Sequence, residues 1–339
     1  ELPTSPIQDP VAGCVIRFST DLKSSEIVAD GFRNAYRMDF NPDGELFTYD
    51  SDNERCVSLP WYEQTRFYHV IPGGHYGWLA PQRGQFFRLP PYLPDVVAPA
   101  AYLGRGSPTG VACYRHGAFP AEYHGGFFAA DWTFGRVYFV PLEPAGANYS
   151  SQARVFIESV GENGFAPTDL AVHPRSGELF VSIGGRGTRG AIFRIRWRRD
   201  ADRPQVVSQS ALPEARSLDW RPVLEEQLNR QATAGGDADR LRSLSLILRH
   251  RNRFSTAAID EAVRANWNHS DRYLRHAAAR LIPTLSPSDR FHLLRGRHQA
   301  IVPLMYCFGV IETEPLAAAS QAVAVLRISH DPEIQLAAV

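Results

Sequence analysis

A strand, a tight turn and a second strand recur along residues 1–198, and this repeat constrains the fold more than any other feature. One copy is Tyr36–Asp50, where an alternating segment meets the turn Asn41-Pro-Asp-Gly44 and a second strand leaves it. Another is Thr168–Ser182, with Pro174 and Gly177 serving the same turn. A looser copy opens at Thr109–Tyr114 and resumes at Gly126–Asp131, after a longer connection through Phe119 and Pro120. Short strands follow two of the hairpins, at Gly135–Val140 and Gly190–Ile195, and one of the same type, Gly13–Phe18, precedes the first. Each unit is therefore predicted to be a small antiparallel sheet.

Such sheets cannot bury both faces alone. Arranging them radially, at roughly 40 to 50 residues each, is the usual solution, a β-propeller. Three hairpin units and one leading strand make about half of a propeller. An open arc exposes flat faces and unpaired edges, so the expectation is a fragment whose other blades lie upstream or come from another chain. Beyond the β half, residues 199–215 are polar and proline-containing and read as a linker, and residues 216–339 turn rich in Ala, Leu and Arg at three-to-four spacing. This second half is predicted all-α. Asp271–Ile282 has an aspartate start and central alanines that let paired helices pack closely, as in HEAT-type solenoids, and Asp331-Pro332 begins the same pattern.

Charge removes one class of function. Lys plus Arg equals Asp plus Glu at 36 each, so the chain has no net charge to draw it to nucleic acid or anionic lipid. Arg240, Arg242, Arg249, Arg251 and Arg253 look basic, but Asp237 and Asp239 flank them and no aromatics interleave, which predicts a solvated helix face. Cys14, Cys56, Cys113 and Cys307 have no CxxC, haem or zinc spacing and read as buried thiols, with one disulfide possible in the first half. No apolar run approaches the ~20 residues of a membrane span.

Several phrases then carry a resemblance: Gly31-Phe-Arg-Asn34, Phe40–Asp52, Leu59-Pro-Trp-Tyr62, Gly73-Gly-His-Tyr-Gly-Trp78, Gly106-Ser-Pro-Thr-Gly-Val111, Asp131-Trp132 and Gly184-Gly-Arg-Gly-Thr188. In this order and spacing they resemble the soluble quinoprotein glucose and sorbosone dehydrogenases. The likeness is nearest to the membrane-bound dehydrogenase domain of planctomycete-type proteins, which often carry HEAT-like repeats after the propeller. The resemblance covers about residues 13–198. It implies a six-bladed propeller whose axial mouth binds pyrroloquinoline quinone (PQQ) and Ca²⁺, hydride transfer from a sugar or alcohol to the quinone, and a periplasmic or extracellular location.

The residues the resemblance singles out suit that chemistry in part. Arg33 and Asn34 stand at the family's cofactor-contacting pair, and a guanidinium clamps a carboxylate through two parallel hydrogen bonds. Asp50 and Asp52 stand at its calcium loop, where paired carboxylates suit a hard cation. Arg186, in a glycine-rich loop without Walker features, is a further anion contact if the loop reaches the mouth. Three cofactor-facing cations are missing: a lysine is replaced within Asp131–Phe134, and paired arginines fall at Ala166 and Thr168. The family's catalytic histidine belongs to an earlier blade, so no residue of this chain is nominated as the base. His75 beside Tyr76 and Trp78 reads as structural, and His69, His116, His124 and His173 have no ligand spacing.

The expected function is part of a PQQ-dependent sugar or alcohol dehydrogenase, inactive in isolation. The alternative is a non-catalytic scaffold of propeller and helices that binds carbohydrate or protein, with a protein partner on the helical repeats. A third reading, a calcium-dependent lactonase of the propeller type, is disfavoured because this sequence lacks the ring of axial Asn, Asp and Glu residues such an enzyme needs.

Overall fold

Asn41 shapes the turn of the first repeat. Its side-chain oxygen accepts from the Asp43 and Glu45 amides at 3.0 and 2.8 Å, and Gly44 takes φ +80°, a left-handed backbone that a side chain resists. In the copy at residues 168–182 His173 does the same work, its Nδ1 accepting from the Ser176 amide at 3.1 Å. There Gly177 has φ +67° and a Cβ would lie 2.2 Å from His116 Nδ1, so the position admits only glycine.

The computed structural model describes residues 5–52, 62–79, 87–93, 95–161, 164–185, 187–198, 222–294, 301–310 and 314–338. β1 (Gly13–Phe18) and β2 (Ser25–Phe32) form an antiparallel pair. β3 (Met38–Phe40), β4 (Leu46–Asp50) and β5 (Arg66–Val70) begin the next sheet. A short pair, β6 (Trp78–Leu79) and β7 (Phe87–Arg88), comes before β8 (Ala101–Tyr102) completes the order β3-β4-β5-β8. β9 (Pro108–Cys113), β10 (Phe127–Asp131) and β11 (Arg136–Val140) follow, then the hairpin β12 (Glu143–Ala145) and β13 (Asn148–Ser150). β14 (Arg154–Glu158) joins β11 to give the order β9-β10-β11-β14. β15 (Pro167–Val172), β16 (Leu179–Gly185) and β17 (Thr188–Ile195) form the last sheet.

All three repeats are thus sheets, with two differences from the sequence reading. Gly13–Phe18 does not stand alone: it pairs with β2, a strand that the sequence reading did not mark. β5 follows the first hairpin unannounced, because Arg66-Phe-Tyr-His-Val70 is buried on both faces and so lacks clean alternation.

Period-two patterning joins the sheets. Phe47 and Tyr49 of β4 and Phe67 of β5 meet Phe127, Ala129 and Val111 of the following sheet, with Phe47 and Phe127 ring centroids 4.9 Å apart. The other face of that sheet, with Phe128, Phe139 and Ala112, meets Leu170, Leu179 and Val181. Each of the Phe, Leu and Val side chains so buried contributes about 1.5–3 kcal/mol. The first strands β3, β9 and β15 lie side by side, tied by Asp39 accepting from the Cys113 amide at 2.8 Å and by Thr109 Oγ1 donating to the Pro167 carbonyl at 2.8 Å. This is the arrangement of consecutive propeller blades with their first strands innermost.

The remaining face of the first repeat sheet, carrying Tyr68 and Val70, is covered by β2 and by helices. These are α1 (Pro222–Ala234), α2 (Asp237–Arg249), α3 (Thr256–Asn266), α4 (Arg272–Ala279), α5 (Pro287–Leu294), α6 (Ile301–Val310), α7 (Pro315–Ile328) and α8 (Pro332–Ala337). Residues 199–215, read as a linker, lie outside the described residues. The change of secondary structure is no break in packing, since Val15, Val28, Phe32, Tyr68 and Val70 share one core with Leu244, Ile247 and Leu274. Asp271 caps α4 by accepting from the Tyr273 and Leu274 amides, and its other oxygen accepts from Ala147 of the β half at 2.9 Å. Arg272 donates to the Pro91, Leu93 and Val96 carbonyls, and Arg242 Nε to Glu45 at 2.9 Å. α4 stops at Ala279, short of the predicted Ile282, where a 3-10 turn containing Pro283 takes over. No described helix is long and apolar enough to cross a membrane. Cys113 and Cys307 are buried free thiols, and Cys56 lies outside the described residues.

His276 of α4 lies in this joint. Burial, reinforced by Arg280, Arg272 and His75, pushes it down to about 3. Its folded value is below the unfolded one near 6.5, so the unfolded chain binds more protons between those values. Stability is full above pH ~6.5 and falls as pH drops toward 3, by about 1.4 kcal/mol per unit. Urea unfolding of wild type and His276→Phe at pH 7, 5 and 4 is expected to show a shallower acid decline in the variant; parallel declines would mean the imidazole titrates in the fold.

Candidate functional site

The first repeat ends its second strand in a carboxylate with no exposure, Asp50. Asp50 Oδ2 accepts from the Arg33 amide at 3.0 Å and Oδ1 from the Asn34 amide at 2.7 Å, which fixes the segment that leads into innermost β3. Arg88 Nη2 donates to Oδ2 at 2.8 Å and to the Ser51 carbonyl at 3.2 Å, while Nη1 donates to the Tyr76 carbonyl at 2.8 Å and to Tyr68 Oη at 3.2 Å. Burial opposes the charge on Arg88, yet Tyr68 and Asp50 hold its guanidinium above the ordinary arginine range. The Arg33 and Arg88 guanidinium carbons lie over the Trp78 ring, 5.4 and 5.5 Å from its centroid. Arg33 is half-buried and Asn34 exposed, so the clamp holds their backbone rather than their side chains.

The next blade repeats the device with one part missing. Asp131 ends β10, also without exposure, and its Oδ1 accepts from the Ser107 and Thr133 amides at 2.9 and 3.0 Å. A Cβ on Gly106 would lie 2.7 Å from the Asp131 carboxylate, which explains the glycine. Oδ2 has no hydrogen-bond partner, and burial pushes the carboxyl above the usual range. The third blade has Ile183 here, opposite Pro167 as Asp131 is opposite Pro108. Trp132 links these two blades, donating from Nε1 to the Gly184 carbonyl at 2.8 Å.

Of the residues the sequence singles out, Arg33, Asn34 and Asp50 come together. Asp52 is buried two residues beyond Asp50, and its charge reaches Tyr49. Arg186 lies outside the described residues. Ca²⁺ does not fit Asp50, whose oxygens are committed to two amides and a guanidinium. Among the described residues no three His, Cys, Asp or Glu side chains form a group that could hold a metal ion. Arg33 and Asn34 carry a guanidinium and an amide, donor types that a carboxylate accepts.

Sequence reasoning missed Arg88, in a two-residue strand that carries no periodic signal. It also missed the Asp30 partner of His75, whose Nδ1 lies 2.8 Å from Asp30 Oδ1. Asp50 and Asp131 were visible as the matching last residues of two repeats. His69, His116 and His124 have structural partners, Asn148, the Ala118 amide and the Phe119 carbonyl.

No protein-family model and no curated protein matches the chain. Among solved structures it is similar to the PQQ-bound aldose sugar dehydrogenase of Streptomyces coelicolor (TM-score 0.38, 18% identity, 54% of this chain and 52% of that one). It is also similar to the apo soluble aldose sugar dehydrogenase of Escherichia coli (0.34, 19%, 46% and 43%). A third is the PQQ domain of pyranose dehydrogenase from Coprinopsis cinerea, in its holo form (0.34, 14%, 52% and 56%). The chain spans about half the length of the structures it matches.

Removing one member of a buried pair leaves an uncompensated charge. Arg88→Met is expected to cost about 3–5 kcal/mol in urea unfolding, and adding Asp50→Asn is expected to recover part of that loss. A cost under about 1 kcal/mol would show that Asp50 does not depend on the guanidinium.

Proposed function

We propose that this chain is part of a quinone-dependent dehydrogenase of sugars or alcohols, with PQQ as cofactor. One observation carries the reading: the Arg33-Asn34 pair, held by its own backbone amides on the buried Asp50, is mounted where the chain turns into an innermost strand. The quinone, when bound, supplies the hydride acceptor for oxidation of the substrate's C–H bond. The chain's own part is to hold it: the Arg33 guanidinium takes a quinone carboxylate, and the Asn34 amide reads a ring oxygen. Asp50 and Arg88 are positioning residues, which keep that segment in place without touching the cofactor. An exported, periplasmic or extracellular location and a HEAT-like role for the helices belong to the same reading.

The scaffold alternative has specific support. Where the resemblance expects cations, Ala166 is buried and the Thr168 hydroxyl lies 2.9 Å from Ser182 Oγ. Asp50, one of the two carboxylates expected to bind calcium, is already paired with Arg88.

Titrating PQQ while following tryptophan fluorescence separates the two, since Trp78 lies against Arg33. Saturable quenching is expected in wild type, with Arg33→Ala binding roughly 10- to 100-fold more weakly through loss of a charged hydrogen-bonded pair. Absence of quenching, or equal affinity in the variant, would favour a propeller that binds carbohydrate or protein without redox chemistry.

A further inference from the structure

Two of the repeat sheets end in a fourth strand at their outer margin, β8 beyond β5 and β14 beyond β11. Among the described residues the last sheet stops at three strands, and β17 is its margin. β17 pairs inward with β16, from Leu179 opposite Ile195 to Ile183 opposite Ala191. A strand so placed turns every second N–H and C=O away from the sheet. The three margins differ in length. β8 has 2 residues and β14 has 5, whereas β17 has 8, enough for a full ladder with an added strand.

Side chains along this margin are open as well. Ile192 is 74% exposed, and Phe193 is 46% exposed although its ring lies 5.9 Å from that of Phe165. Trp197, just beyond the strand, rests on Tyr123 and Phe119 with ring centroids 6.0 and 6.2 Å away and is still 45% exposed. From Arg189 to Arg198 the chain carries four arginines and no acidic residue. All four, Arg189, Arg194, Arg196 and Arg198, are exposed. Arg194 meets Glu178 at 3.8 Å with 57% of its side chain open to solvent, a pair of little weight. Like charges opposite one another across a ladder are unfavourable, so this edge repels a second copy of itself. A strand that sets carboxylates against the arginines gains where a copy loses. Backbone donors and acceptors at strand spacing match a polypeptide rather than a nucleic acid, and the chain as a whole has no net charge.

We propose that the outer edge of β17 binds an extended acidic segment of a partner protein by strand addition, the segment's backbone continuing the β15-β16-β17 sheet. Period two puts Arg194 on one face and Phe193 and Ile195 on the other, so a partner that alternates acidic and apolar residues suits both. The edge lies on the margin away from innermost β15 and is independent of the quinone reading.

Fluorescence anisotropy of a labelled peptide of alternating glutamate and valine, titrated with the full chain, tests it. Saturable binding is expected, weakening as sodium chloride is raised. N-methylating the peptide on the one set of alternate residues that faces β17 is expected to weaken binding by about 10-fold, since it removes the ladder donors. Arg194→Glu combined with Arg196→Glu is expected to keep the wild-type far-UV circular dichroism, to lose about 10-fold in affinity for this peptide and to gain affinity for a lysine-valine peptide. If the double variant fails to fold, Arg196→Glu, beyond the end of β17, decides alone. Absence of binding by the wild type, binding indifferent to N-methylation on either set, or undiminished affinity in the variant overturns the proposal. So does tighter binding of oligothymidylate, which would make a nucleic acid the occupant, or a sedimenting dimer that the variant abolishes, which would make it a second copy.

Discussion

A small antiparallel sheet with apolar side chains on both faces needs a neighbour on each side, and this requirement governs the chain. Phe47 and Phe127 satisfy it between the first two repeat sheets, and Phe128 with Leu170 and Val181 between the second and third. On the far side of the first repeat sheet the neighbour is of another kind: β2 and the helices close over Tyr68 and Val70. Once the sheets are stacked, their first strands must converge, and the segments leading into those strands must gather at one end. The location of the candidate site follows from packing, before any chemistry is considered.

The sequence made this much legible through two signals. Turn chemistry at Asn41-Pro-Asp-Gly44 and at Gly177 marked the hairpins, since a left-handed residue flanked by alternating apolar runs has few other uses. Repetition then showed that the hairpins belong to one architecture. Illegible parts were those that local pattern does not encode. β2 pairs with β1, a long-range choice settled by burial in the shared core. Arg88 reaches Asp50 from a part of the chain with no periodicity, and the helices dock through single residues such as Asp271 and Arg242, whose local reading was only a helix start and a solvated face. Sequence showed two halves because secondary structure changes; the core that joins them is written in residues far apart.

At the site itself, Asp50 illustrates how one carboxylate serves competing demands. The amides of Arg33 and Asn34 and the Arg88 guanidinium together satisfy it, so its charge is spent on shape and none is left for a cation. Asp131 shows the same mounting without the guanidinium, and the cost is visible as an oxygen with no partner. The two blades are thus chemically unequal at equivalent positions. Arg33 and Asn34 owe their presentation to the better-satisfied one.

The core that joins Val15 and Phe32 to Leu244 and Ile247 also sets an order of events during synthesis. Strands at the front of the chain emerge from the ribosome with Tyr68 and Val70 ready to pack, while the helix that covers them has yet to be translated. At about 5–20 residues per second that interval is on the order of tens of seconds. Through it a nascent aromatic surface stands open to other chains, and the later helices act as an intramolecular shield against aggregation.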